Sequence, residues 1–319
     1  MERRELGRSG IEVTRVVLGC ANFGGVGSDP KTWGKGTGEG EAFAIMDAAY
    51  EAGIRTFDSA ASYGGGRSEA TIGHWLAARG RADVVLTSKA FFPVREQDDQ
   101  GLAPDRIRRV ATESLRRLGV DRIDLYLTHQ PDPDTPLLDT LRALDELASE
   151  GTIRAFGASN VDARYIEGSL RLADGHGLRR IEWVQNEYSL LVRDAEREVL
   201  PLCAREGLGF TPYSPLAGGW LTAKYRRGED YPPDSRMTLR PDFRFARDDV
   251  HAAVEAFAAH ADERAVQPAT LAFAWVVGQP GVTAGIAGPS RLAHLAPLLE
   301  GYELELSQAE RDELAALFG

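Results

Sequence analysis

The sequence has few cysteines, no excess of basic residues and no long apolar run. Only Cys20 and Cys203 are cysteines among 319 residues, and they form neither a CxxC motif nor a spacing typical of metal ligands. A disulfide framework and a metal site are therefore not expected, and a reducing compartment fits best. The formal net charge of −11 argues against general nucleic-acid binding, which needs a dense basic surface.

No apolar stretch reaches the roughly 18 residues that a membrane helix requires. Residues 1–6, MERREL, lack the apolar core of a secretory signal peptide. Both absences predict a soluble cytoplasmic protein that does not enter a membrane. The length allows one large barrel or two ordinary domains, and the sequence gives no indication of oligomeric state.

Three short apolar stretches in the first half of the chain each end in an ionisable residue: Asp58, Lys89 and His129. Tyr63 follows the first stretch within one short turn. The β-branched and aliphatic residues of these stretches are typical of buried strands, and helical patterns separate them. The alternation predicts a parallel sheet whose strands end at one edge. Because alternate residues of a strand share a face, all three charged side chains can point into one interior.

The alternation of strands and helices continues to the C-terminus without a linker or a sequence repeat. It predicts one α/β domain over residues 1–319, a single (β/α)8 TIM barrel whose strand ends carry the chemistry. A hairpin with its turn at residues 8–10 is predicted to cap the bottom of the barrel, and a long polar loop follows the seventh strand at residues 216–247. The other predicted strands cover residues 16–20, 153–159, 181–188, 209–214 and 282–287.

A tyrosine beside a lysine is a potential proton donor. Tyrosine ordinarily has a pKa of about 10, and we expect the ammonium of Lys89 to lower the pKa of Tyr63. Asp58 is expected to pair with Lys89 and keep it charged, while His129 holds a carbonyl oxygen by a hydrogen bond. A general acid with a pKa shifted toward neutral raises the reaction rate by a factor of roughly 10²–10⁴. No side chain donates hydride, so reduction of the carbonyl carbon requires a nicotinamide or a flavin.

Six short stretches, in order and at matching spacing, resemble the aldo-keto reductase family over nearly the whole chain. The resemblance implies a TIM barrel that binds NADPH, or alternatively NADH, extended across its mouth without a Rossmann domain. It also implies that the protein reduces a small aldehyde or ketone. The stretches are FDSAASYG at 57–64, TSK at 87–89, DLYLTH at 124–129, GASN at 157–160, QNEYS at 185–189 and YSPLAGG at 213–219.

The resemblance assigns a role to each residue of the four-residue set. Tyr63 is the general acid, Lys89 and Asp58 form its tuning pair, and His129 orients the carbonyl group. All four positions match the family motifs residue by residue. The resemblance therefore implies the same chemistry that the residues themselves indicate.

The resemblance also assigns residues that contact the coenzyme. Ser159, Asn160 and Gln185 match the positions that hold the nicotinamide carboxamide. Tyr213 matches the residue that stacks on the nicotinamide ring. The segment at 214–221 matches the residues near the pyrophosphate, and it includes Ser214, Pro215, Leu216 and Gly218.

One stretch departs from the family pattern at the adenosine end, GIAGPSRLAHLAPL at 285–298. The apolar Pro297 and Leu298 cannot make the adenine hydrogen bonds that Glu and Asn often make in the family. Ser290 and Arg291 still suit a 2′-phosphate, because a guanidinium pairs well with phosphate oxygens. We therefore expect NADPH, with its adenosine end near Gly288, Ser290, Arg291 and His294.

Substrate selection is expected from loops around the mouth of the barrel. Phe92 and the long polar loop after Leu216 are expected to contribute to selection. Asn22, Phe23 and Trp33 lie in a long glycine-rich loop, and Phe91 lies in the loop after Lys89. These are the predicted substrate-binding residues. No motif indicates which carbonyl compound is the substrate or in which direction the reaction runs.

Two other functions remain open from the sequence. One is a redox-sensing subunit with little turnover, as is thought for potassium-channel β subunits of this fold, although the complete four-residue set argues against it. The other is a barrel hydrolase or lyase that uses Asp58 and Glu187 as paired carboxylates, in which Gln185 has no role. Further acidic residues, such as Glu41 and Glu69, are interpreted as charges at helix termini.

Overall fold

The computed structural model describes residues 1–80, 83–95 and 100–319. Part of the polar loop after the third predicted strand, residues 96–99, lies outside the described residues. The described chain contains ten β-strands and eleven α-helices. Eight of the strands form one sheet and two form a small separate sheet.

All strand pairs in the larger sheet are parallel, and the smaller sheet is an antiparallel hairpin. The hairpin strands are β1 (Arg3–Glu5) and β2 (Glu12–Thr14). The parallel strands are β3 (Val16–Gly19), β4 (Thr56–Asp58), β5 (Val85–Ala90), β6 (Ile123–Thr128), β7 (Ile153–Ser159), β8 (Trp183–Gln185), β9 (Gly209–Phe210) and β10 (Gly285–Ala287).

The parallel sheet curls until its two edges meet. From β3 to β9 each strand pairs with the next in sequence, and β10 pairs with β3. The two outer edges of this order, those of β9 and β10, are linked by two backbone hydrogen bonds. Thr283 N donates to Phe210 O at 2.8 Å, and Ile286 N donates to Pro212 O at 2.9 Å. The result is a curled eight-stranded parallel sheet, consistent with the predicted (β/α)8 barrel.

The interior of the curled sheet is filled by alternate strand residues, because successive side chains point to opposite faces. The hairpin contributes to the same cluster, so its apolar side chains pack against the sheet interior. The cluster contains Leu6, Ile11, Val13, Val17, Leu125, Leu127, Ala155, Trp183, Ala284 and Ile286. A second, larger cluster joins the outer strand faces to the helices, for example Tyr126 and Phe156 to Ile107 and Ile166.

Helices connect the strands and cover the outside of the sheet. Their ends follow the sequence signals: Pro104 opens α3 and a left-handed Gly119 ends it, and Ser307 and Glu310 form a capping box at α11. The helices are α1 (Glu39–Glu51), α2 (Arg67–Arg79), α3 (Pro104–Leu118), α4 (Leu137–Ser149), α5 (Ala163–His176), α6 (Val199–Glu206), α7 (Arg236–Leu239), α8 (Asp248–Glu263), α9 (Pro268–Val277), α10 (Ala296–Glu303) and α11 (Gln308–Ala316).

Several predicted bounds differ from the structure. The strands predicted at 181–188, 209–214 and 282–287 are the shorter β8, β9 and β10. In the strand predicted at 209–214, Pro212 has no N–H to donate to a ladder. In the strand predicted at 181–188, the side chain of Asn186 forms two hydrogen bonds with the backbone of Val161, just beyond the end of β8. The segment 216–247, predicted as a loop, contains α7 and two 3-10 helices at Ala217–Thr222 and Phe243–Phe245.

Glu69 is more than a charge at a helix terminus. It lies in the first turn of α2, as expected, but its side chain is fully buried. Its carboxylate accepts hydrogen bonds from Ser88 Oγ at 2.5 Å and from Arg117 Nε at 2.7 Å. Arg117 also packs so closely on Gly66 that an added Cβ there would lie 2.9 Å from its Cδ. The pair therefore ties α3 to the turn that carries Tyr63.

Replacing Glu69 by alanine should lower the free energy of unfolding by about 3 kcal/mol, because Arg117 loses its closest carboxylate in a buried place. Equilibrium urea unfolding followed by circular dichroism measures the loss. The matched control is Glu113→Ala, whose carboxylate is 22% exposed and contacts Arg117 at 3.3 Å. Its expected cost is about 1 kcal/mol or less. Equal losses in the two variants would contradict the importance of the buried pair.

Candidate active site

A buried ion pair lies at the ends of β4 and β5. Lys89 Nζ contacts Asp58 Oδ2 at 2.7 Å, and both side chains are almost inaccessible to solvent. The ammonium also donates to Ser59 O at 2.8 Å and lies 3.4 Å from the hydroxyl of Tyr63. Gln185 Nε2 donates to the second carboxylate oxygen, Asp58 Oδ1, at 3.0 Å. Every ammonium proton and both carboxylate oxygens thus have a partner, which burial of the two charges requires.

Tyr63 lies on a glycine-rich turn between β4 and α2. Gly64 and Gly65 follow it with φ of 59° and 66°, a left-handed conformation that glycine adopts without a steric cost. Gly64 N donates to Gly27 O at 3.0 Å, and Arg67 Nη1 donates to Gly64 O at 2.7 Å. These bonds hold the turn, and with it the phenol, beside the ammonium of Lys89.

The pKa of Tyr63 moves in the direction opposite to the prediction. Burial and the nearby Asp58 carboxylate raise the pKa of Tyr63 well above its ordinary value. The expected lowering by Lys89 is wrong because burial disfavours a phenolate and Asp58 offsets the ammonium charge. Burial also lowers the pKa of Lys89, and Asp58 opposes that shift. Tyr63 is therefore a neutral phenol near pH 7 and retains the proton that an acid must donate.

His129 lies directly beside Tyr63. The two ring centroids are 5.5 Å apart, and the ring of Phe92 approaches His129 from another direction at 4.9 Å. Its Nδ1 is buried and has no hydrogen-bond partner in the described part of the chain. Burial, with a contribution from Lys89, lowers the pKa of His129 well below its ordinary value. The imidazole is therefore neutral and can donate one N–H to a carbonyl oxygen.

The polar residues at the ends of β7 and β8 bond to one another and to this group. Ser159 Oγ donates to Gln185 O at 2.6 Å, and Asn160 Nδ2 donates to His129 O at 2.8 Å. The hydroxyl of Tyr213 donates to Asn160 Oδ1 at 2.6 Å. The structure thus brings the four predicted nicotinamide residues together at the buried ion pair.

The backbone near the predicted pyrophosphate segment is strained. Asn160, Ser214 and Ala217 have φ of 58°, 56° and 47°, values that are uncommon for residues other than glycine. Such strain collects at functional sites, where the surrounding structure holds it in place. Gly218 and Gly219 continue the left-handed run. The strained stretch includes all four residues predicted there: Ser214, Pro215, Leu216 and Gly218.

The residues predicted for the adenosine end lie after β10. Ser290 Oγ is 3.2 Å from His294 Nδ1, and Gly288 lies two residues before Ser290. Arg291 is 64% exposed and lies 3.9 Å from a carboxylate oxygen of Asp234. Burial and the charges of neighbouring cations, Arg291 among them, lower the pKa of His294. The cluster is therefore open to solvent and rich in basic groups.

Two of the predicted substrate-binding residues do not reach the mouth. Phe23 and Phe91 are 0% and 5% exposed and belong to the large core cluster. Both side chains pack in the cluster that joins the sheet to the helices rather than in the sheet interior, so both assignments are corrected. Phe92, which is half-buried and touches His129, is the aromatic residue of this loop that lies at the site.

The other two predicted substrate-binding residues lie nearer the mouth. Asn22 Nδ2 donates to Gly288 O at 3.0 Å, so it connects the glycine-rich loop to the predicted adenosine end. Trp33 is half-buried, and its ring packs so closely on Gly65 that an added Cβ would lie 3.0 Å from it. Trp33 is thus adjacent to the turn that carries Tyr63.

Two arginines of the segment 223–247, which we call the basic segment, lie at the site. The loop that contains them was predicted to contribute to substrate selection, but neither arginine was predicted individually. Arg236 lies on α7 and packs on Gly218, where a Cβ would be 3.6 Å from its Cγ. The charges of Arg236 and Arg240 both act on Tyr63 and oppose the upward shift of its pKa. The sequence feature that could have indicated these arginines is composition. The basic segment holds seven basic and four acidic residues, although the whole chain has a net charge of −11.

The chain is similar to known proteins over almost its whole length. The model of the aldo/keto reductase family matches residues 15–318. The chain belongs to the aldo/keto reductase family. Family membership supports an oxidoreductase that acts on carbonyl groups of small molecules, and members typically use nicotinamide coenzymes, usually NADPH.

Three relatives match most of this chain. It is 34% identical to the uncharacterized oxidoreductase YrpG of Bacillus subtilis, over 97% of this chain and 93% of the relative. It is 34% identical to a probable voltage-gated potassium channel subunit beta of Arabidopsis thaliana, over 91% and 88% of the two chains. It is 30% identical to versiconal hemiacetal acetate reductase of Aspergillus parasiticus, over 88% and 86%.

Membrane-spanning helices and clustered metal ligands are both absent from the described residues. No helix in that part of the chain is long and apolar enough to span a bilayer. No group of three or more His, Cys, Asp or Glu side chains among the same residues is arranged to hold a metal ion.

The lowered pKa of His129 predicts a pH-dependent stability. An unfolded histidine gains a proton below about pH 6.5, whereas folded His129 stays neutral to lower pH. The unfolded state then binds more protons, so the free energy of unfolding falls by up to about 1.4 kcal/mol per pH unit as the pH drops below 6.5. His129→Gln should remove this component in urea unfolding series between about pH 7.5 and 5. Exposed His176→Gln serves as the control, and an unchanged slope in His129→Gln would refute the prediction.

Proposed function

We propose that this protein is an NADPH-dependent reductase of aldehydes or ketones, with the chain acting as one barrel domain and Tyr63 as general acid. The observation that carries the proposal is a neutral phenol 3.4 Å from the buried Lys89–Asp58 pair and beside a neutral His129. This set can hold a carbonyl oxygen and protonate it. Hydride has to come from a coenzyme, because no side chain supplies it.

The polar atoms beside the ion pair suit a carboxamide group. Ser159 uses its only hydroxyl proton on Gln185 O, so its remaining lone pairs can only accept hydrogen bonds. Gln185 donates its amide to Asp58, which leaves Oε1 as an acceptor. The NH2 of a nicotinamide carboxamide has two protons for these two acceptors. Asn160, bonded to the hydroxyl of Tyr213, would fix the ring of Tyr213 against the nicotinamide.

Lys224 and Arg236 suit the pyrophosphate. Neither forms an ion pair with a carboxylate within the ranges that the structure describes. Arg236 packs on Gly218, and an added Cβ on Gly219 would lie 3.0 Å from Lys224 Nζ. Two cations beside a left-handed stretch of backbone, in which Gly218 is exposed, form a favourable anion site. We assign the pyrophosphate to this place.

Ser290 and Arg291 suit the 2′-phosphate that distinguishes NADPH from NADH. Arg291 is largely exposed and only loosely paired at 3.9 Å, so its guanidinium is free to meet phosphate oxygens. His294 lies close to Ser290 and can add a second donor. The apolar Pro297 and Leu298 are both buried, so we assign them no contact with the adenine.

The side chains then perform one proton transfer. A nicotinamide coenzyme, when bound, would supply the hydride that the carbonyl carbon needs. His129 donates a hydrogen bond to the carbonyl oxygen, and Tyr63 transfers its hydroxyl proton to that oxygen to give the alcohol. The ammonium of Lys89 stabilises the phenolate that forms, and Asp58 keeps the ammonium charged. The phenolate regains its proton from solvent before the next turnover.

A hydrolase or lyase with paired carboxylates is not proposed. Arg244 holds both oxygens of Glu187 at 3.0 and 3.1 Å. Asp58 is bound by Lys89 and Gln185 through its two oxygens. Neither carboxylate is therefore free to move protons.

A redox-sensing subunit is the second candidate. It is favoured by one comparison, the 34% identity to a protein named as a probable potassium channel subunit beta. The same residues would bind the coenzyme in both functions. The difference lies in the rate of turnover relative to the rate at which the coenzyme dissociates.

Tyr63→Phe should reduce kcat by roughly 10²–10⁴ while NADPH still binds, because the variant keeps the ring but lacks the proton. NADPH oxidation against a panel of aldehydes and ketones measures turnover, and fluorescence titration measures binding. Tyr302→Phe is the control, since its hydroxyl bonds Glu2 N in a part of the chain remote from the site. Full activity in Tyr63→Phe would overturn the role of Tyr63. A wild-type protein that binds NADPH but reduces no member of the panel would favour the sensor.

Two arginine variants should separate the phosphate sites. Arg291→Gln should weaken NADPH binding by about ten-fold and leave NADH binding unchanged, because it removes one charged hydrogen-bond donor to the 2′-phosphate. Arg236→Gln should weaken the binding of NADPH and of NADH by a similar factor, since both coenzymes contain the pyrophosphate. Isothermal titration calorimetry with each coenzyme measures the four constants. Equal effects of Arg291→Gln on the two coenzymes would contradict the assignment.

A further inference from the structure

The cations of the basic segment divide into two groups. Three of them, Lys224, Arg236 and Arg240, form no ion pair with a carboxylate in the part of the chain that the structure describes. The remaining four are paired with carboxylates. These pairs are Arg226–Glu229 at 4.0 Å, Arg227–Asp248 at 3.4 Å, Arg244–Glu187 at 3.0 Å and Arg247–Asp249 at 2.8 Å.

The three unpaired cations occupy different positions. Lys224 and Arg236 pack on Gly219 and Gly218, which belong to the proposed pyrophosphate site. Arg240 packs elsewhere, on Gly27 of the glycine-rich loop, where an added Cβ would lie 3.1 Å from its Nη1. The phosphates of the coenzyme therefore account for the first two cations but not for Arg240.

Arg240 lies beside the turn that carries Tyr63. Gly27, on which the guanidinium packs, accepts a hydrogen bond from Gly64 N through its carbonyl oxygen, and Gly64 directly follows Tyr63. The positive charge of Arg240 acts on both Tyr63 and Tyr213, so it lies within electrostatic range of the proton donor and of the residue assigned to the nicotinamide ring. This is the end of the mouth where a substrate has to bind.

The local chemistry keeps Arg240 available for a ligand. Asp242, two residues away, is engaged by Arg244 at 2.6 Å and does not pair with Arg240. Arg236 is a like charge close enough to act on Arg240, which makes a nearby anion more favourable. A guanidinium binds a carboxylate or phosphate through two parallel hydrogen bonds.

We infer that Arg240 binds an anionic group of the substrate, so that the preferred substrates are carbonyl compounds with a carboxylate or a phosphate near the carbonyl. The inference rests on the proposed reductase function and adds a substrate class to it. Arg240 is then a specificity-determining residue that contacts the substrate away from the reacting carbon.

Matched substrates test the inference. We compare 3- and 4-carboxybenzaldehyde with the corresponding methyl formylbenzoates, which have similar shape but no charge. The wild type should favour at least one acid over its ester in kcat/KM. Arg240→Gln should reduce that preference about ten-fold, mainly through KM, because one charged contact is lost. Arg240→Lys should retain part of the preference, because it keeps the charge but not the two-bond geometry.

Two controls show whether the preference for acids depends on Arg240 itself and on contact with the substrate rather than with the coenzyme. Arg226→Gln removes the same charge from the outer side of the basic segment and should leave the ratio of acid to ester unchanged. Arg240→Gln should bind NADPH with the wild-type Kd. A rise of this Kd by the same factor would make Arg240 a coenzyme ligand and overturn the inference. Glyceraldehyde 3-phosphate against glyceraldehyde, run in parallel, determines whether phosphate or carboxylate is preferred.

The outcomes separate this inference from the proposed function. If the wild type reduces acids and esters equally well, and Arg240→Gln changes neither, the inference fails and the reductase function stands. If no substrate is reduced, the reductase function fails, and calorimetric titration of 4-carboxybenzaldehyde into the wild type and Arg240→Gln decides the inference. Binding that is lost in the variant supports an anion site, and equal binding or no binding overturns it.

Discussion

The structure depends on keeping a charged lysine inside a parallel sheet. An ammonium as buried as that of Lys89 strongly destabilises a fold unless each of its protons has a partner. Asp58, the Ser59 carbonyl and the Tyr63 hydroxyl provide these partners. The strand register makes this possible, because Asp58 lies opposite Thr87, two residues before Lys89 on the same face of β5. The charge proposed to stabilise a phenolate is therefore fixed by the sheet rather than by a loop.

Around this rigid centre, the remaining site residues come from segments that leave the strands. Asn160 and Ser214 follow β7 and β9 in left-handed conformations, which direct their side chains and backbone groups away from the regular ladder. The basic segment then approaches the mouth from outside and is tied to it by the ion pair between Arg244 and Glu187. In the proposed function the centre carries out the reduction, and the outer segments distinguish one ligand from another.

The sequence was most informative where side-chain period and strand ends coincide. Asp58, Lys89 and His129 were predicted at the ends of buried strands, since an apolar run that stops at a charged residue is typical of a strand that reaches a polar mouth. The direction of the Tyr63 pKa was not predictable, because it depends on the balance between burial and two opposite charges at distances that a sequence does not contain. Arg240 had no periodic pattern around it that would have indicated its orientation.

The same limit applies to the errors in burial and length. Phe23 and Phe91 follow strands that reach the mouth, but packing turns both side chains into the core. The later strands were predicted too long because an apolar run does not show where the regular ladder between strands stops; Pro212, which lacks an N–H, interrupts it in the strand predicted at 209–214. Both errors concern tertiary contacts between segments far apart in the chain, which one sequence without structure does not specify.

The junction between β9 and β10 closes the curled sheet with backbone bonds at Phe210 and Pro212 instead of a regular ladder. The segments that leave these two strands are those proposed to grip the two phosphate regions of the coenzyme. A ligand held by both segments would bridge the sheet across its least regularly bonded junction. A bound coenzyme would thus hold the junction between β9 and β10 closed. The resistance of the barrel to opening at this junction would then rise with the fraction of protein that has coenzyme bound.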